Sequence, residues 1–238
     1  MRVIVLDIEG TTTPVAYVRD TLFPYARREL RQFLEAEEEA RIRSLAADLQ
    51  RERERDAAAS ADVPNWRADT TAERASSIVR YVTWLMDRDR KSTALKALQG
   101  RIWEKGYTSG QLVAPVYDDV PAALRRWREH GVGAGIFSSG SVLAQQLLFR
   151  HSSAGDLTPL IQWHFDTSVG AKTEVESYRR IASAIDAPAA EILFISDVVG
   201  ELDGARDAGL QTILCHRPGE PEPGERHDHP VIGSFDEL

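Results

Sequence analysis

The chain alternates short apolar runs with amphipathic helical patterns, and this alternation constrains the fold more than any other feature. Helical patterns separate the later runs, as EVESYRRIASAID does at 174–186. Strands that alternate with helices form parallel sheets with right-handed crossovers. The sequence therefore predicts an α/β fold, a Rossmann-like three-layer parallel sheet. Its predicted strands are the apolar runs at 3–6, 132–137, 160–165, 191–196 and 211–216.

Between the first two predicted strands, from Thr21 to about Lys105, the patterns are helical and no run favours a strand. RERERD at 51–56 is a charge run that predicts a solvated helix face or loop. Thr70 or Thr71 is the expected N-cap of a further helix. We therefore predict a helical domain inserted after the first strand. The predicted domains are an α/β core of residues 1–13 and 115–238, and a helical domain of residues 14–114.

Composition narrows the class of partner. A formal net charge of −8 disfavours nucleic acid, whose binding needs a basic face. The single cysteine, Cys215, excludes an intramolecular disulfide and a thiolate metal cluster. No apolar run approaches the roughly 20 residues of a membrane helix. We expect a soluble, cytoplasmic monomer without nucleic-acid or membrane partners, acting on a small molecule.

Polar side chains follow the predicted strands where parallel strands bring their carboxyl ends to one edge of a sheet. Carboxylates grouped there fit best around a hard cation such as Mg²⁺. A serine at a helix N-terminus and a lysine suit a phosphate. The set predicts metal-assisted phosphoryl transfer with a carboxylate attacking phosphorus. Its members are Asp7 and Glu9 after the first strand, Ser138 and Ser139 after the second, Lys172 after the third and Asp197 after the fourth.

The order of these motifs resembles the haloacid dehalogenase superfamily, which usually has Asp where this chain has Glu9. With that departure, DIEGTTTP at 7–14 resembles the acireductone synthase (enolase-phosphatase) family of methionine salvage. The resemblance covers nearly the whole chain. It extends to DRKSTALKALQGRIW (89–103), FSSGSVLAQQLLF (137–149), HFDTSVGAKTEVESYRRIA (164–182) and ISDVVGELDGA (195–205).

This resemblance implies a haloacid dehalogenase-like core with a helical cap, and a Mg²⁺-dependent enzyme. Such an enzyme enolises 2,3-diketo-5-methylthiopentyl-1-phosphate and then dephosphorylates the enol to the acireductone through an aspartyl-phosphate. It implies one Mg²⁺ per subunit. By the same resemblance, Asp7 is the nucleophile and a metal ligand, and Asp197 completes the metal site. Glu9 is the acid/base residue, with either its carboxylate or its backbone carbonyl near the metal. The phosphate is held by Ser138, Ser139 and Lys172.

Three other functions stay open at the level of sequence. One is a dehalogenase in which Asp7 attacks carbon without a metal. Another is a phosphatase of the same superfamily with a different small substrate, and the third is a catalytically silent binding module. The group that removes the carbon-bound proton during enolisation is also open between Glu9, a cap residue and polarisation of the ketone by the metal.

Several other residues carry weaker expectations. Glu201, four positions after Asp197, is either a partner of the metal-binding groups or a solvent-facing helix residue. Trp103 is expected in the core of the helical domain, and Glu104 on its surface. We expect HRPGEPEPGERHDHP (216–230) to be a flexible loop, with His227 and His229 in solvent. Cys215 ends an apolar strand and is expected to be a buried, inert thiol.

Overall fold

The computed structural model describes residues 1–60, 62–88, 90, 92–222, 224 and 226–238. These residues form two compact units. One is the helical unit, Leu22–Gly106; the other is the core unit, which joins Met1–Thr21 to Tyr107–Leu238. The helical domain predicted at 14–114 stays a prediction. Asp89 and Lys91, which belong to the phrase at 89–103, lie outside the described residues.

The core unit contains a parallel sheet whose strand order is β3-β2-β1-β4-β5-β6. This confirms the predicted α/β class and the five predicted strands. The sixth strand was missed, because two residues after a Pro- and Gly-rich stretch give no readable periodicity. The strands are β1 (Val3–Leu6), β2 (Gly133–Phe137), β3 (Trp163–Phe165), β4 (Ile192–Ser196), β5 (Gln211–Cys215) and β6 (Val231–Ile232).

Helices lie in the segments between the first five strands. A π-helical turn, Val18–Leu22, links the first two helices, and short 3₁₀ turns occur at Thr158–Leu160, Ala189–Glu191 and Phe235–Glu237. None of the helices in the described ranges is long and apolar enough to cross a membrane. The helices are α1 (Val15–Tyr17), α2 (Phe23–Glu35), α3 (Glu39–Ala59), α4 (Thr71–Met86), α5 (Thr93–Thr108), α6 (Asp119–Glu129), α7 (Val142–Arg150), α8 (Val175–Ile185) and α9 (Val199–Asp207).

Strand β1 lies at the centre of the sheet and is buried on both faces, which explains its uninterrupted apolar sequence. Successive side chains point to opposite faces, so Val3 and Val5 share one face and Ile4 and Leu6 the other. Fully burying one such side chain stabilises the fold by about 1.5–3 kcal/mol. Val3 and Val5 belong to a buried cluster that includes Tyr178 and Ile181 of α8 and Leu202 of α9.

The pairing register of β1 determines where Asp7 lies along the sheet. Leu6 lies opposite Ile136 of β2 and Ile195 of β4, so Asp7 follows at the level where its two neighbouring strands end. The chain runs from β1 to β2 and β3 on one side, and then crosses to β4 on the other. Ligands of open α/β sheets bind at such a switch point. Here it lies between the carboxyl ends of β1 and β4.

In the helical unit, α4 starts where the sequence predicts. Thr70 is its N-cap and forms a capping box with Glu73, with the Glu73 N–H donating to Thr70 Oγ1 at 3.2 Å and the Thr70 N–H to Glu73 Oε2 at 3.1 Å. Such a cap contributes about 1 kcal/mol.

Asp56, in the charge run at 51–56, corrects the expectation of a solvated face. It is buried and accepts hydrogen bonds from Tyr81 Oη at 2.8 Å and from Arg90 Nη2 at 2.6 Å. The run alone gives no sign of these partners, which come from α4 and from the segment before α5.

Candidate active site

The segment Asp7–Thr13, here called the catalytic turn, extends β1 beyond the sheet. Asp7 is 5% exposed, and its N–H continues the strand pairing by donating to the Ile195 carbonyl at 2.9 Å. The amides of the next three threonines turn back onto one acceptor, the Ile8 carbonyl, at 3.3, 2.9 and 2.9 Å. The chain therefore reverses directly after Asp7 and holds its carboxylate at the end of the central strand.

Gly10 allows Asp197 to approach the catalytic turn. Its φ is +67°, a left-handed conformation that glycine adopts without steric cost. A Cβ at this position would overlap with Asp197 Oδ2, well inside van der Waals contact. The Asp197 carboxylate thus occupies the space that a side chain would fill. A glycine that the sequence indicates only as a turn residue brings together the ends of β1 and β4.

Lys172 lies between two carboxylates. Its Nζ is 2.6 Å from Asp7 Oδ1 and 2.6 Å from Glu201 Oε2, and its side chain is only 7% exposed. Burial alone would lower the pKa of Lys172, but the charges of Asp7 and Glu201 outweigh it and raise the pKa above its usual value. The lysine is therefore held as a cation, and the Tyr178 hydroxyl fixes its backbone by donating to the Lys172 carbonyl at 2.5 Å.

Glu201 does not face solvent. It lies in the first turn of α9, is buried, and accepts a hydrogen bond from Ser196 Oγ at 2.8 Å in addition to its contact with Lys172. The structure thus contradicts the solvent-facing alternative, while a part for Glu201 in a metal site stays a prediction. Burial first, and then the Asp7 charge, raise the pKa of Glu201 despite the lysine beside it.

The pKa values of Lys172 and Glu201 are both raised, which keeps the lysine charged and favours the protonated form of the glutamate. One lysine cannot neutralise all the carboxylates around it, so negative charge remains in excess. Asp197 shares it: burial, followed by repulsion from Asp7 and Glu201, raises the pKa of Asp197 to about 7.

Glu9 differs from Asp7 in its surroundings, although only one residue separates them. Glu9 is exposed to solvent, whereas Asp7 is buried. Partial desolvation and the Asp7 charge raise the pKa of Glu9. A solvent-connected carboxyl with a raised pKa can both give and accept a proton near neutral pH.

The carboxylate oxygens at this edge of the sheet suit a magnesium ion, although they do not form a complete set of metal ligands. Among the described residues, no three His, Cys, Asp or Glu side chains are arranged as a metal site. Mg²⁺ does not require one, because it usually binds one or two protein carboxylates and keeps several waters. The raised pKa values of Asp197 and Glu201 show a local excess of negative charge that such a cation would relieve. Asp7, Glu9 and Asp197 are the residues that could hold it.

Ser138 and Ser139 follow β2 at the same edge of the sheet. Ser138 is buried and its Oγ accepts the Gly140 N–H at 3.2 Å, while Ser139 is exposed. At the start of α7, side chains already occupy some of the helix amides that were expected to receive an anion. The Ala144 N–H donates to Ser141 Oγ at 3.3 Å, and the Val142 N–H to Asp166 Oδ2 at 3.4 Å.

Gln145 supports this serine turn and gave no signal in the sequence. It is buried in α7, and its Nε2 donates to the Gly140 carbonyl at 2.9 Å and to the Phe165 carbonyl at 2.8 Å. The side chain therefore ties the loop after β2 to the end of β3. An amide within an amphipathic helix has no motif of its own, so only the fold shows its contacts.

The weaker expectations have mixed outcomes. Trp103 is buried within the helical unit, where its Nε1 donates to the Leu22 carbonyl at 2.8 Å, and Glu104 is exposed, as expected. Cys215 is buried, as expected. His229 contradicts the solvent prediction: its side chain is 1% exposed and contacts Thr212 Oγ1 at 2.8 Å and Asp203 Oδ1 at 3.2 Å.

Comparisons with known proteins agree with this geometry. A family profile described as haloacid dehalogenase-like hydrolase matches residues 1–209. A protein of Synechococcus elongatus named Enolase-phosphatase E1 is 47% identical over 236 residues, which cover 99% of this chain and 96% of that protein. A protein of Danio rerio with the same name is 42% identical over 245 residues, covering 100% of this chain and 94% of that protein.

A solved structure resembles the chain over its full length. The crystal structure of the UTR4 protein from Saccharomyces cerevisiae matches with a TM-score of 0.80 at 32% identity. The match covers 99% of both chains, so it includes the helical segment between β1 and β2 as well as the sheet.

Proposed function

Since the chain belongs to the enolase-phosphatase E1 family of haloacid dehalogenase-like hydrolases, we propose that it enolises 2,3-diketo-5-methylthiopentyl-1-phosphate and then removes the phosphate. The product is the acireductone of L-methionine salvage. One observation supports this most: a buried Asp7 carboxylate ends the central strand, with Lys172 at 2.6 Å. Such a group, with Asp197 beside its turn, is equipped to attack phosphorus.

In the proposed phosphatase step, Asp7 is the nucleophile. Its carboxylate oxygen bonds to phosphorus, the bond from phosphorus to the ester oxygen breaks, and Glu9 gives a proton to the departing oxygen. Water then attacks the phosphorus of the aspartyl-phosphate while Glu9 takes up the water proton. This releases inorganic phosphate and restores Asp7. The raised pKa of Glu9 supports its role, since a proton donor works best with a pKa near the working pH.

The remaining site residues hold charge in place. Asp7, Glu9 and Asp197 would bind one Mg²⁺ per subunit, which would offset the repulsion between the carboxylate and the phosphate. Lys172, with Ser138 and Ser139, would bind the phosphate oxygens. Lys172 supports this assignment because it already contacts the attacking carboxylate and is held charged.

The proposal extends to the rest of the chain. Residues 14–114 would act as the cap that closes during the reaction and excludes water. The enzyme would be a cytoplasmic monomer. Its single cysteine suits a reducing compartment, and its net charge of −8 suits a protein without a nucleic-acid partner.

The decisive assay follows the enol absorbance and phosphate release together on the diketo phosphate. We expect an enol that precedes phosphate, with activity lost in EDTA and restored by Mg²⁺. Asp7→Asn should lower phosphate release about a thousandfold or more, because it removes the nucleophile. Asp207→Asn, the same change at the exposed end of α9, is the matched control and should be fully active.

Each contrary outcome removes a different part of the proposal. Phosphate release without a preceding enol would contradict the two-step reaction and favour a phosphatase acting on another small phosphorylated metabolite. Full activity in EDTA would contradict the proposed Mg²⁺ requirement. Full phosphate release by Asp7→Asn would contradict the assignment of Asp7 as the nucleophile. Halide release from a 2-haloacid, with no action on the phosphate, would favour a dehalogenase.

A further inference from the structure

Arg217 is a buried arginine that the proposed mechanism does not use. It follows β5 in the stretch 216–230, predicted to be a flexible loop, yet it is only 2% exposed. Its Nε and Nη2 both donate to one acceptor, the Thr11 carbonyl, at 2.9 and 2.8 Å. A planar guanidinium that binds one oxygen through two N–H groups fixes its direction as well as its distance.

The guanidinium is itself held from several sides. Its Nη1 donates to Asp119 Oδ2 at 2.6 Å and to the Gly233 carbonyl at 3.3 Å. The rings of Tyr117 and Phe235 lie 4.5 and 4.4 Å from its central carbon. Asp119 in turn accepts from the Phe235 N–H at 2.5 Å. Burial would raise the pKa of Asp119, but its hydrogen bonds to Arg217 and Phe235 lower it, so this carboxylate stays charged.

The Thr11 carbonyl lets a residue outside the catalytic turn hold the turn in place. Within the turn, the amides of Thr11, Thr12 and Thr13 all point at the Ile8 carbonyl, so their bonds set its internal shape. Its orientation on the core unit depends on other contacts. Arg217 supplies two of them, and the Tyr117 N–H supplies another by donating to the Thr12 carbonyl at 3.1 Å.

We propose that Arg217 is a positioning residue, which holds the catalytic turn so that Asp7 and Glu9 keep the geometry of the reaction. It touches neither carboxylate in the contacts described, and acts through the Thr11 carbonyl. The inference rests on the proposed function for its kinetic consequence, but the fixing of the turn does not depend on the substrate. Small displacements of reacting groups have large effects on rate, up to about a hundredfold for 1 Å.

The chain offers a matched control for the structural part of this role. Arg126 also anchors the C-terminal segment, because its Nη2 donates to the Phe235 carbonyl at 2.6 Å and to the Leu238 carbonyl at 3.1 Å. None of the hydrogen bonds described for Arg126 reaches the catalytic turn. Arg126→Ala therefore loosens the same segment without removing the contacts to Thr11.

The experiment compares Arg217→Lys with Arg126→Ala in the full chain, using steady-state kinetics on the diketo phosphate and amide hydrogen exchange of the peptide that contains residues 8–13. We expect kcat to fall about tenfold to a hundredfold in Arg217→Lys while KM changes less than about threefold. Exchange of the turn should become faster in this variant. Arg126→Ala should keep the wild-type kcat and the wild-type exchange of the turn.

The proposal is overturned if Arg217→Lys folds and keeps the wild-type kcat, if its turn exchanges at the wild-type rate, or if Arg126→Ala loses kcat to the same extent. Should Arg217→Lys fail to fold, Asp119→Asn replaces it. That variant keeps the bonds to Thr11 and weakens the contacts of Asp119 with Arg217, Ser234 and Phe235. A smaller loss of kcat and faster exchange of the turn are therefore expected. A wild-type chain inactive on the diketo phosphate would refute the proposed function, and the exchange result would still test the positioning role.

Discussion

Two polar clusters around buried carboxylates, one in each unit, differ in their balance of positive and negative charge. In the helical unit, the Asp56 carboxylate is matched by the Arg90 guanidinium at 2.6 Å and the Tyr81 hydroxyl at 2.8 Å. At the end of β1 in the core unit, Lys172 contacts both Asp7 and Glu201, with Asp197 nearby. The first cluster is balanced, whereas the second holds more negative charge than its lysine can offset.

This difference separates a structural cluster from a functional one. A buried carboxylate with matched donors contributes to a fold without further partners. An excess of carboxylates raises pKa values and destabilises the chain, and such arrangements concentrate at sites that bind ligands. A cation bound in the core cluster would relieve this excess of negative charge.

Removing the lysine from the core cluster should have the largest effect on stability. Lys172→Met leaves Asp7 and Glu201 facing each other in a buried position, and should lower the free energy of unfolding by about 3 kcal/mol at pH 8. Urea unfolding without metal measures it. The double variant Lys172→Met/Glu201→Gln should recover part of the loss, because it removes one of the two charges. No recovery would contradict charge imbalance as the cause.

Adding one methyl group at Gly10 should disrupt the site more than the fold. In Gly10→Ala the new Cβ would displace Asp197, and kcat/KM should fall about thirtyfold or more, equivalent to about 2 kcal/mol. Gly131→Ala is the matched control, since Gly131 has a similar φ of +73° with nothing within 4 Å of the Cβ that alanine would add. Equal losses of activity in both variants would indicate backbone strain and not displacement of Asp197.

The pH dependence of stability should reveal the excess charge directly. The pKa of Asp197 is raised to about 7, and that of Glu201 is also raised, so the folded chain binds more protons than the unfolded chain above about pH 4. Their contribution to stability is complete below the unfolded pKa and is lost as pH rises through the folded one. Without metal, the free energy of unfolding should fall by about 2 kcal/mol between pH 5 and pH 8.

Urea unfolding in EDTA at several pH values measures this fall, and Glu201→Gln should make it smaller. Added Mg²⁺ should reduce it as well, because a bound cation favours the ionised carboxylates. Stability that is independent of pH over this range, or that rises with pH, would contradict the raised pKa values.

The balanced cluster should respond least. Tyr81→Phe removes one hydrogen bond to Asp56 and leaves Arg90 in place, so the free energy of unfolding should fall by about 1 kcal/mol. Phosphate release at saturating substrate should not change. Thermal unfolding and the phosphate assay together measure both effects. A loss of activity without a loss of stability would show that this cluster is more than structural.

Much of the core followed from the sequence, because its signals are local. Two of the strands, Val3–Leu6 and Ile192–Ser196, are short apolar runs. Their composition predicts burial on both faces of the sheet. Thr70 was one of the two predicted N-caps of α4, and the structure shows that it forms the cap. The two-residue strand Val231–Ile232 was missed, since it exists only by pairing with β5.

The candidate site was predictable only in part, because its residues differ in what determines them. Asp7, Lys172 and Asp197 follow elements that the sequence marks, and a parallel sheet brings those ends together. Their exact roles stay predictions. Glu201 could face either way on its helix, and Arg217 and His229 lie in a stretch rich in Pro, Gly and charge that favours a solvated loop.

By itself, the sequence determined the α/β class, the order of the motifs and the chemistry available, since these depend on periodicity and on residue type at strand ends. Only the tertiary structure decided which charges meet. It placed Lys172 between Asp7 and Glu201, let Asp197 fill the space beside Gly10, and joined Arg217 to Thr11 across 206 residues of chain. Hydrogen bonds and ion pairs act over a few ångströms in space, and no local pattern records such distances.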